Sequence, residues 1–196
     1  MNMPRTLLAF AIGFGAALAA GWGAFPRALY QKQAQPLQFR HKTHAAKSGT
    51  SQCVDCHTLR EDGAFAGIPG NQSCAGCHAD PMGTTKAEAT LVNNYIKPKR
   101  ETPWLVYAQQ PSNVRFSHAI HVTRGKLECG RCHGAQGESD ALRPFEVNRI
   151  SGYSRDIWGQ SLSRLHRAKN EGMKMGDCEG CHRERKVEAG CLGCHQ

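Results

Sequence analysis

This chain of 196 residues has few aromatic side chains and an overall polar composition. Phenylalanine, tryptophan and tyrosine together make up 7% of the residues, and the mean hydropathy is −0.52. Cysteine occurs only within copies of one repeated motif, which contain all ten cysteines. We therefore expect side chains alone to build only a small apolar core, so another group must fill part of the interior.

The repeated motif is Cys-x-x-Cys-His, and five copies of it use all ten cysteines. This motif is typical of c-type haem attachment. Two thiols at this spacing form thioethers with the two vinyl groups of one haem, and the adjacent histidine is the first axial ligand of the iron. Numbered in chain order, the residues are Cys53, Cys56 and His57 (site 1), Cys74, Cys77 and His78 (site 2), Cys129, Cys132 and His133 (site 3), Cys178, Cys181 and His182 (site 4), and Cys191, Cys194 and His195 (site 5).

Two other uses of paired cysteines compete with haem attachment. Cys-x-x-Cys elements hold zinc in many small domains, and an even number of cysteines suits disulfides in a secreted protein. Zinc ribbons do not require a histidine after every second cysteine, and disulfides require no histidine at all. Five identical copies therefore favour five covalently bound c-type haems.

Ten histidines are present, and half of them lie outside the motifs. This supplies one second axial ligand for each haem. An iron held by two histidines is coordinatively saturated and passes electrons, whereas an open iron binds and converts a small molecule. The count therefore favours an electron-transfer protein, without catalytic residues, over an enzyme. The spare histidines are His41, His44, His118, His121 and His166.

An internal repeat, F-x-H-x-x-H, precedes sites 1 and 3. It occupies residues 39–44 and 116–121, and the haem motif follows after eight and seven residues, respectively. Histidines three positions apart are neighbours on one helical face, so each pair can serve two different haems. His166 lies in a separate stretch of helical character that ends at Gly172, where an exposed histidine is the alternative. Met173 or Met175 would then replace it as ligand, whereas Met82 is expected to pack.

Near the N-terminus, residues 7–25 form a run of 19 residues without a charge. As a helix this run is about 28 Å long, close to the hydrocarbon thickness of a bilayer. A cleaved signal peptide is the alternative, because Arg5 precedes the run and Ala17-Leu18-Ala19 resembles a cleavage site. The run continues past that site, and Trp22, Phe25 and Tyr30 lie near its end as in an interfacial belt, so we favour a retained membrane anchor. Haem attachment outside the cytoplasmic membrane would put the remaining chain on the outer, periplasmic face.

The formal net charge of +9 resembles that of proteins that bind nucleic acid or anionic lipid. Each ferric haem with two histidine ligands and two ionised propionates adds about −1, which would bring the oxidised protein to about +4. Lysines and arginines near haem would pair with propionates. We therefore expect no nucleic-acid partner.

The chain divides into five parts on this pattern. They are an anchor or signal segment (1–25), a linker (26–38), a two-haem module (39–80), a connector (81–113) and a three-haem module (114–196). The connector contains four prolines and no sustained periodicity, so we expect it to cover the surface or to contact a partner. Residues 134–177 also lack a haem motif and are a second candidate partner surface.

The layout of F-x-H-x-x-H followed by Cys-x-x-Cys-His resembles the cytochrome c3 and c7 class of multihaem proteins. A closer resemblance is to the pentahaem membrane-anchored subunit of alternative complex III and the related multihaem subunit of quinone reductase complexes. The resemblance covers the N-terminal anchor, residues 39–57, Pro103-Trp104, residues 114–121 and 129–134, and Met175-Gly176-x-Cys178. It implies a mostly irregular chain with short α-helices wrapped around five haems, plus one N-terminal transmembrane helix.

The same resemblance implies a place in a quinol-oxidising respiratory complex. The partners would be integral membrane quinone-reactive subunits, an iron-sulfur or molybdopterin-like subunit and a downstream cytochrome or other electron acceptor. The long 134–177 segment departs from the family pattern and leaves the pairing of the last two haems open. Two alternative functions are a stand-alone quinol dehydrogenase of the NapC or NrfH type and a multihaem reductase with one open haem.

Overall fold

The computed structural model describes residues 4–47, 52–63, 67–154, 172–187 and 190–195. These ranges contain all five Cys-x-x-Cys-His motifs and both F-x-H-x-x-H repeats. The predicted ligand His166 lies outside the described residues, so its assignment to a haem stays a prediction.

A long apolar helix forms the N-terminal part of the described chain. Helix α1 (Arg5–Ala19) continues through a π-helical turn (Ala20–Ala24) into helix α2 (Phe25–Leu29). Within Arg5–Ala24 an 18-residue stretch has a mean hydropathy of 1.8, and none of these residues is buried against the rest of the protein. Their 20 residues give a length of about 30 Å, enough to cross a bilayer. A membrane anchor and a signal sequence both meet this description.

A two-stranded antiparallel sheet follows this helix directly. Strand β1 (Tyr30–Gln33) pairs with strand β2 (Phe145–Asn148), from Tyr30 opposite Asn148 to Gln33 opposite Phe145. The Arg149 N–H extends the pairing by donating to the Leu29 carbonyl at 2.9 Å. Part of the segment between sites 3 and 4 is thus held at the end of the apolar helix.

The haem motifs lie on short helices joined by irregular chain, as the sequence predicts. Each motif occupies about one or two turns, which puts its histidine one turn after its first cysteine. In sites 1 and 5, for example, the histidine N–H donates to that cysteine's carbonyl at 2.8 Å. The helices and turns at or near the motifs and repeats are α3 (His41–Lys47), a 3-10 turn (Cys53–Asp55), α4 (Asn71–His78), a π-helical turn (Ala119–Arg124), α6 (Cys129–His133), a 3-10 turn (Gln136–Glu138), α7 (Met175–Glu184) and α8 (Cys191–Cys194). Helix α5 (Lys86–Leu91) belongs to the connector.

The connector contains a helix that its sequence pattern does not predict. Helix α5 (Lys86–Leu91) continues as a π-helical turn (Val92–Ile96), and this turn packs on α4. The Thr85 hydroxyl caps its start by accepting from the Glu88 N–H at 3.2 Å. The following residues then close on the start of α4, where Asn71 donates to the Glu101 carboxylate at 2.9 Å and to the Arg100 carbonyl at 2.8 Å. Much of the connector is therefore a structural support of site 2.

Side-chain burial is slight, as the composition predicts. Within the described ranges the buried apolar side chains are Leu37 and Val92, of which Val92 has no exposed surface. Buried polar groups make specific bonds instead, for example Gln35, whose side chain both donates to and accepts from the Leu105 backbone at 2.8 and 3.0 Å. Full burial of one such apolar side chain contributes about 2 kcal/mol, whereas ordering one residue costs about 1–2 kcal/mol. The polypeptide therefore needs a further apolar group to form a stable interior.

We expect the chain to fold only when haem is attached. Chain produced without cytochrome c maturation should give the far-UV circular dichroism of a largely disordered polypeptide and no cooperative thermal transition, since so little apolar surface is buried. The mature protein, produced in parallel, should unfold cooperatively. A cooperative transition in the haem-free chain would contradict this expectation.

Candidate haem sites

Three histidines of the motifs each face a histidine of an F-x-H-x-x-H repeat. The ring centres of His118 and His133 are 6.2 Å apart, and the two planes differ by 3°. The corresponding values are 6.0 Å and 16° for His121 and His182, and 6.3 Å and 51° for His44 and His78. These pairs belong to sites 3, 4 and 2.

This spacing fits two axial ligands of one metal ion. A metal–imidazole bond is about 2 Å long and the ring nitrogen lies about 1 Å from the ring centre, so opposed ligands have centres about 6 Å apart. Phe39 and His44, which stack on each other within one repeat, are closer, at 4.2 Å. The three histidine pairs therefore have the centre-to-centre separation expected of two imidazoles on one iron.

His41 lies next to site 1 in the same way that His118 lies next to site 3. Burial lowers the pKa of His41, and the neighbouring His57 and then His44 lower it further. Burial, His133 and then His121 lower the pKa of His118. A lowered pKa keeps the imidazole neutral to lower pH, and only the neutral ring can bind a metal.

Hydrogen bonds at Nδ1 leave Nε2 available on several of these rings. The Nδ1 atoms of His44, His57 and His121 lie 2.8 Å from the carbonyl oxygens of Arg40, Gly67 and Ser117, respectively. A carbonyl only accepts, so the neutral form of each ring carries its proton on Nδ1 and its lone pair on Nε2. This is the tautomer that binds iron through Nε2, and the bond also fixes the ring orientation.

The remaining two Nδ1 contacts reach side chains distant in sequence. The Nδ1 of His41 lies 3.2 Å from the Ser139 hydroxyl, and the Nδ1 of His78 lies 3.0 Å from Oε1 of Glu88. The backbone N–H of Met82 lowers the pKa of Glu88 most, burial opposes this, and the bond to His78 lowers it further. Glu88 is therefore a carboxylate at neutral pH.

The phenylalanine of each repeat contacts both histidines of that repeat. Phe116 stacks on His121 at 4.6 Å and 21°, and its ring meets His118 edge-on at 4.8 Å and 87°. Phe39 makes the same two contacts, with His44 at 4.2 Å and 19° and with His41 at 4.8 Å and 80°. The F in F-x-H-x-x-H thus holds two imidazoles at a large angle to each other.

None of the ten cysteines, all of which lie in described residues, forms a disulfide, and several lie close to cysteines of another site. Burial raises the pKa of Cys129, and the Cys53 thiol, which hydrogen-bonds to it, raises it further. Burial and then Cys56 raise the pKa of Cys74, and burial and then Cys181 raise the pKa of Cys132. Site 1 therefore adjoins sites 2 and 3, and site 3 adjoins site 4.

Backbone contacts agree with this arrangement. Gly63, after site 1, has a φ of +71°, and a Cβ there would lie 2.6 Å from the Cβ of Ala119, before site 3. Only glycine permits so close an approach with this backbone conformation. The Lys42 N–H also donates to the Ser139 carbonyl at 3.1 Å, which joins the start of α3 to the turn after site 3.

Sites 4 and 5 lie against the segments around site 3. The Met173 N–H donates to the Cys132 carbonyl at 2.8 Å, which fixes the chain entering site 4. At site 5, the Arg115 N–H donates to the Cys194 carbonyl at 2.7 Å, and Val114 forms a β-bridge with His195. Burial raises the pKa of Cys178, and Cys132, Asp177 and Cys194 raise it further, so site 4 lies near both sites 3 and 5.

Among the described residues no group of three or more histidine, cysteine, aspartate or glutamate side chains has the geometry of a metal-ion site. Each pair of imidazoles would supply two ligands, the number that an iron needs when its other four ligands come from a porphyrin.

Comparison with known proteins identifies the family. A model of the class III cytochrome c family matches residues 93–196, which contain sites 3, 4 and 5. The chain is also 38% identical to the menaquinone reductase multiheme cytochrome c subunit of Nitratidesulfovibrio vulgaris (strain Hildenborough), over 95% of this chain and 89% of the relative. The chain belongs to the class III cytochrome c family. Covalently bound c-type haem is therefore its cofactor, which agrees with the predicted cofactor and with the resemblance to c3-like proteins.

The groups that orient these imidazoles in this class III cytochrome are not predicted from the motifs. Glu88 could have been recognised, because Thr85-x-x-Glu88 is the capping pattern of a helix start and places Glu88 in its first turn. Gly67 and Ser139 carry no comparable pattern. They reach His57 and His41 through the tertiary fold alone.

We expect His118→Ala to leave all haems of this cytochrome covalently attached and to convert one haem to a high-spin or differently ligated form. The reason is that His133 would lose its opposed imidazole while both thioethers of site 3 remain. Visible and EPR spectra of the oxidised protein measure this change. Ile120→Ala is the control, because Ile120 lies between the two histidines and is 57% exposed. A wholly low-spin spectrum for His118→Ala would refute the pairing.

Proposed function

We propose that this class III cytochrome is a membrane-anchored pentahaem subunit that carries electrons within a quinone-linked complex at the outer face of the cytoplasmic membrane. The observation that carries the proposal is the set of opposed imidazoles in sites 2, 3 and 4, with His41 beside His57 in site 1. In this proposal His166 is the second ligand of site 5. Saturated ligation leaves no position for a substrate.

The protein residues prepare each site for electron transfer and take no part in bond making after attachment. Bound haem iron supplies reversible one-electron oxidation and reduction. Neutral imidazoles, fixed through Nδ1 and by the phenylalanines of the repeats, keep the same ligands in both oxidation states, so little rearrangement accompanies each transfer.

We propose that electrons pass through the sites in the order 2, 1, 3, 4, 5. Two supports are the proximity of Cys53 to Cys129 and of Cys56 to Cys74, which agree with a position of site 1 next to both sites 2 and 3. A third is the pairing of His118 and His121, one helical turn apart, with the histidines of sites 3 and 4. Sites 2 and 5 are then the two ends, where electrons arrive or leave.

The proposed partners are integral membrane quinone-reactive subunits, an iron-sulfur or molybdopterin-like subunit and a soluble cytochrome or other electron carrier. The apolar helix supports a membrane location, and strand pairing between residues 30–33 and 145–148 keeps part of the segment between sites 3 and 4 close to the end of that helix. Quinone reduction is the direction we propose, because the relative that is 38% identical is a menaquinone reductase subunit. Quinol oxidation, as in alternative complex III, is the second candidate and rests on the resemblance of the motifs.

We expect the purified holoprotein to contain five haems per chain and only low-spin ferric signals. The pyridine haemochrome assay gives the haem count, and low-temperature EPR gives the spin states. Fewer than five haems would contradict the pentahaem assignment. A stoichiometric high-spin signal would contradict saturated ligation and favour a reductase with an open iron, for which site 5 would be the first candidate.

We expect the complex isolated from native membranes through a tag on this chain to reduce a menaquinone analogue with electrons from a reduced low-potential cytochrome. The same complex carrying His118→Ala should reduce it more slowly, because site 3 lies in the middle of the proposed path. Stopped-flow reoxidation of the haems by the quinone analogue measures this rate. Oxidation of the quinol without the reverse reaction would favour the second candidate, and no reaction with either would refute a quinone-linked role.

A further inference from the structure

His78 differs from the other histidines whose Nδ1 contacts are described above. His44, His57 and His121 donate to neutral backbone carbonyls, and His41 lies against a hydroxyl. His78 instead lies 3.0 Å from Oε1 of Glu88, with 21% and 11% of the two side chains exposed. A glutamate carboxylate is ionised at neutral pH. The hydrogen bond at site 2 is therefore charge-assisted and partly shielded from water.

The surrounding chain holds the Glu88 carboxylate in place. Its Oε1 also accepts from the Met82 N–H at 2.7 Å, and its own N–H is capped by Thr85. A Cβ at position 83 would lie 2.9 Å from its Oε2, so Gly83 leaves the space that the carboxylate occupies. These contacts come from the loop and helix directly after site 2, so the carboxylate is built into the site.

We propose that Glu88 is a positioning residue that lowers the midpoint potential of the haem at site 2, an inference that rests on the proposed ligation by His78. A carboxylate that accepts a hydrogen bond from the Nδ1–H group makes the imidazole a stronger electron donor through Nε2. A stronger donor stabilises ferric over ferrous iron. Reduction of this site takes up one electron from a neighbouring haem or an external reductant, and the proton stays on Nδ1 of His78.

A lower potential at site 2 would affect the direction of electron flow, because of where site 2 lies in the proposed path. In the proposed order site 2 is an end of the path, so lowering its potential favours electrons that move from it toward site 1. The other end, site 5, lies against residues 114–115. Glu88 would then help to make site 2 the point where electrons arrive from a low-potential donor.

Glu88→Gln tests the inference in the full-length holoprotein. Glutamine keeps the length and an acceptor oxygen for Met82 and His78 but removes the charge. We expect spectroelectrochemical titration to show an upward shift of one haem potential out of five. We also expect one low-spin EPR signal to change its g-values, while the haem count and the low-spin state stay the same.

Glu101→Gln is the matched control. Glu101 also accepts a backbone N–H at the start of α4, from Asn71 at 2.9 Å, and it raises the pKa of Cys74, so it lies close to site 2 as well. Its charge is equal, but its described hydrogen bond reaches Asn71 and not an imidazole. We expect no change of g-values and a smaller potential shift in this variant.

Glu88→Asp is a second test, needed in case Glu88→Gln yields no holoprotein. Aspartate keeps the charge but is one carbon shorter, so its carboxylate draws back from Nδ1 and the potential should again rise. Unchanged potentials in the variant obtained would overturn the inference, as would equal shifts for Glu88→Gln and Glu101→Gln. Fewer than five low-spin haems in the unsubstituted protein would instead contradict the proposed function, so the two failures are distinguishable.

Discussion

Opposed imidazoles about 6 Å apart are the constraint on which the rest of this structure depends. Each ring must present an unprotonated Nε2, so its proton must sit on Nδ1 and be held there by an acceptor. Backbone carbonyls do this for His44, His57 and His121. Local helix geometry supplies two of those carbonyls, since Arg40 and Ser117 lie four residues before the histidines they serve. The third, Gly67, comes from the loop after site 1.

The F-x-H-x-x-H repeat extends this constraint from single sites to neighbouring ones. Histidines three residues apart cannot face the same metal from opposite sides, so in the second repeat His118 and His121 turn to different motif histidines. Phe116 holds one ring against its face and the other against its edge. One helical turn therefore fixes how two neighbouring sites lie relative to each other, and Phe39 makes the same two contacts in the first repeat. The spacing of two sites for electron transfer then does not depend on an extended apolar core.

The connector shows how a segment without a haem motif acts on a haem site. Its helix brings Glu88 to His78, the π-helical turn that continues the helix packs on α4, and the residues after it close on Asn71. Val92, which is fully buried, lies in that π-helical turn. Part of the small apolar burial of the polypeptide therefore supports the shape of site 2.

The sequence by itself determined the chemistry of this protein, because Cys-x-x-Cys-His and F-x-H-x-x-H are local patterns whose spacing dictates attachment and ligation. It also determined the polar composition and the apolar N-terminal run, and with them the small core and the exposed helix. It did not predict helix α5, whose few residues have little periodicity. Only the tertiary structure decided which histidine faces which motif, because those partners lie up to 61 residues apart, as for His121 and His182. The same holds for the adjacency of sites 1 and 3 and for the contact of Glu88 with His78, since packing of distant or irregular chain follows no repeat in the sequence.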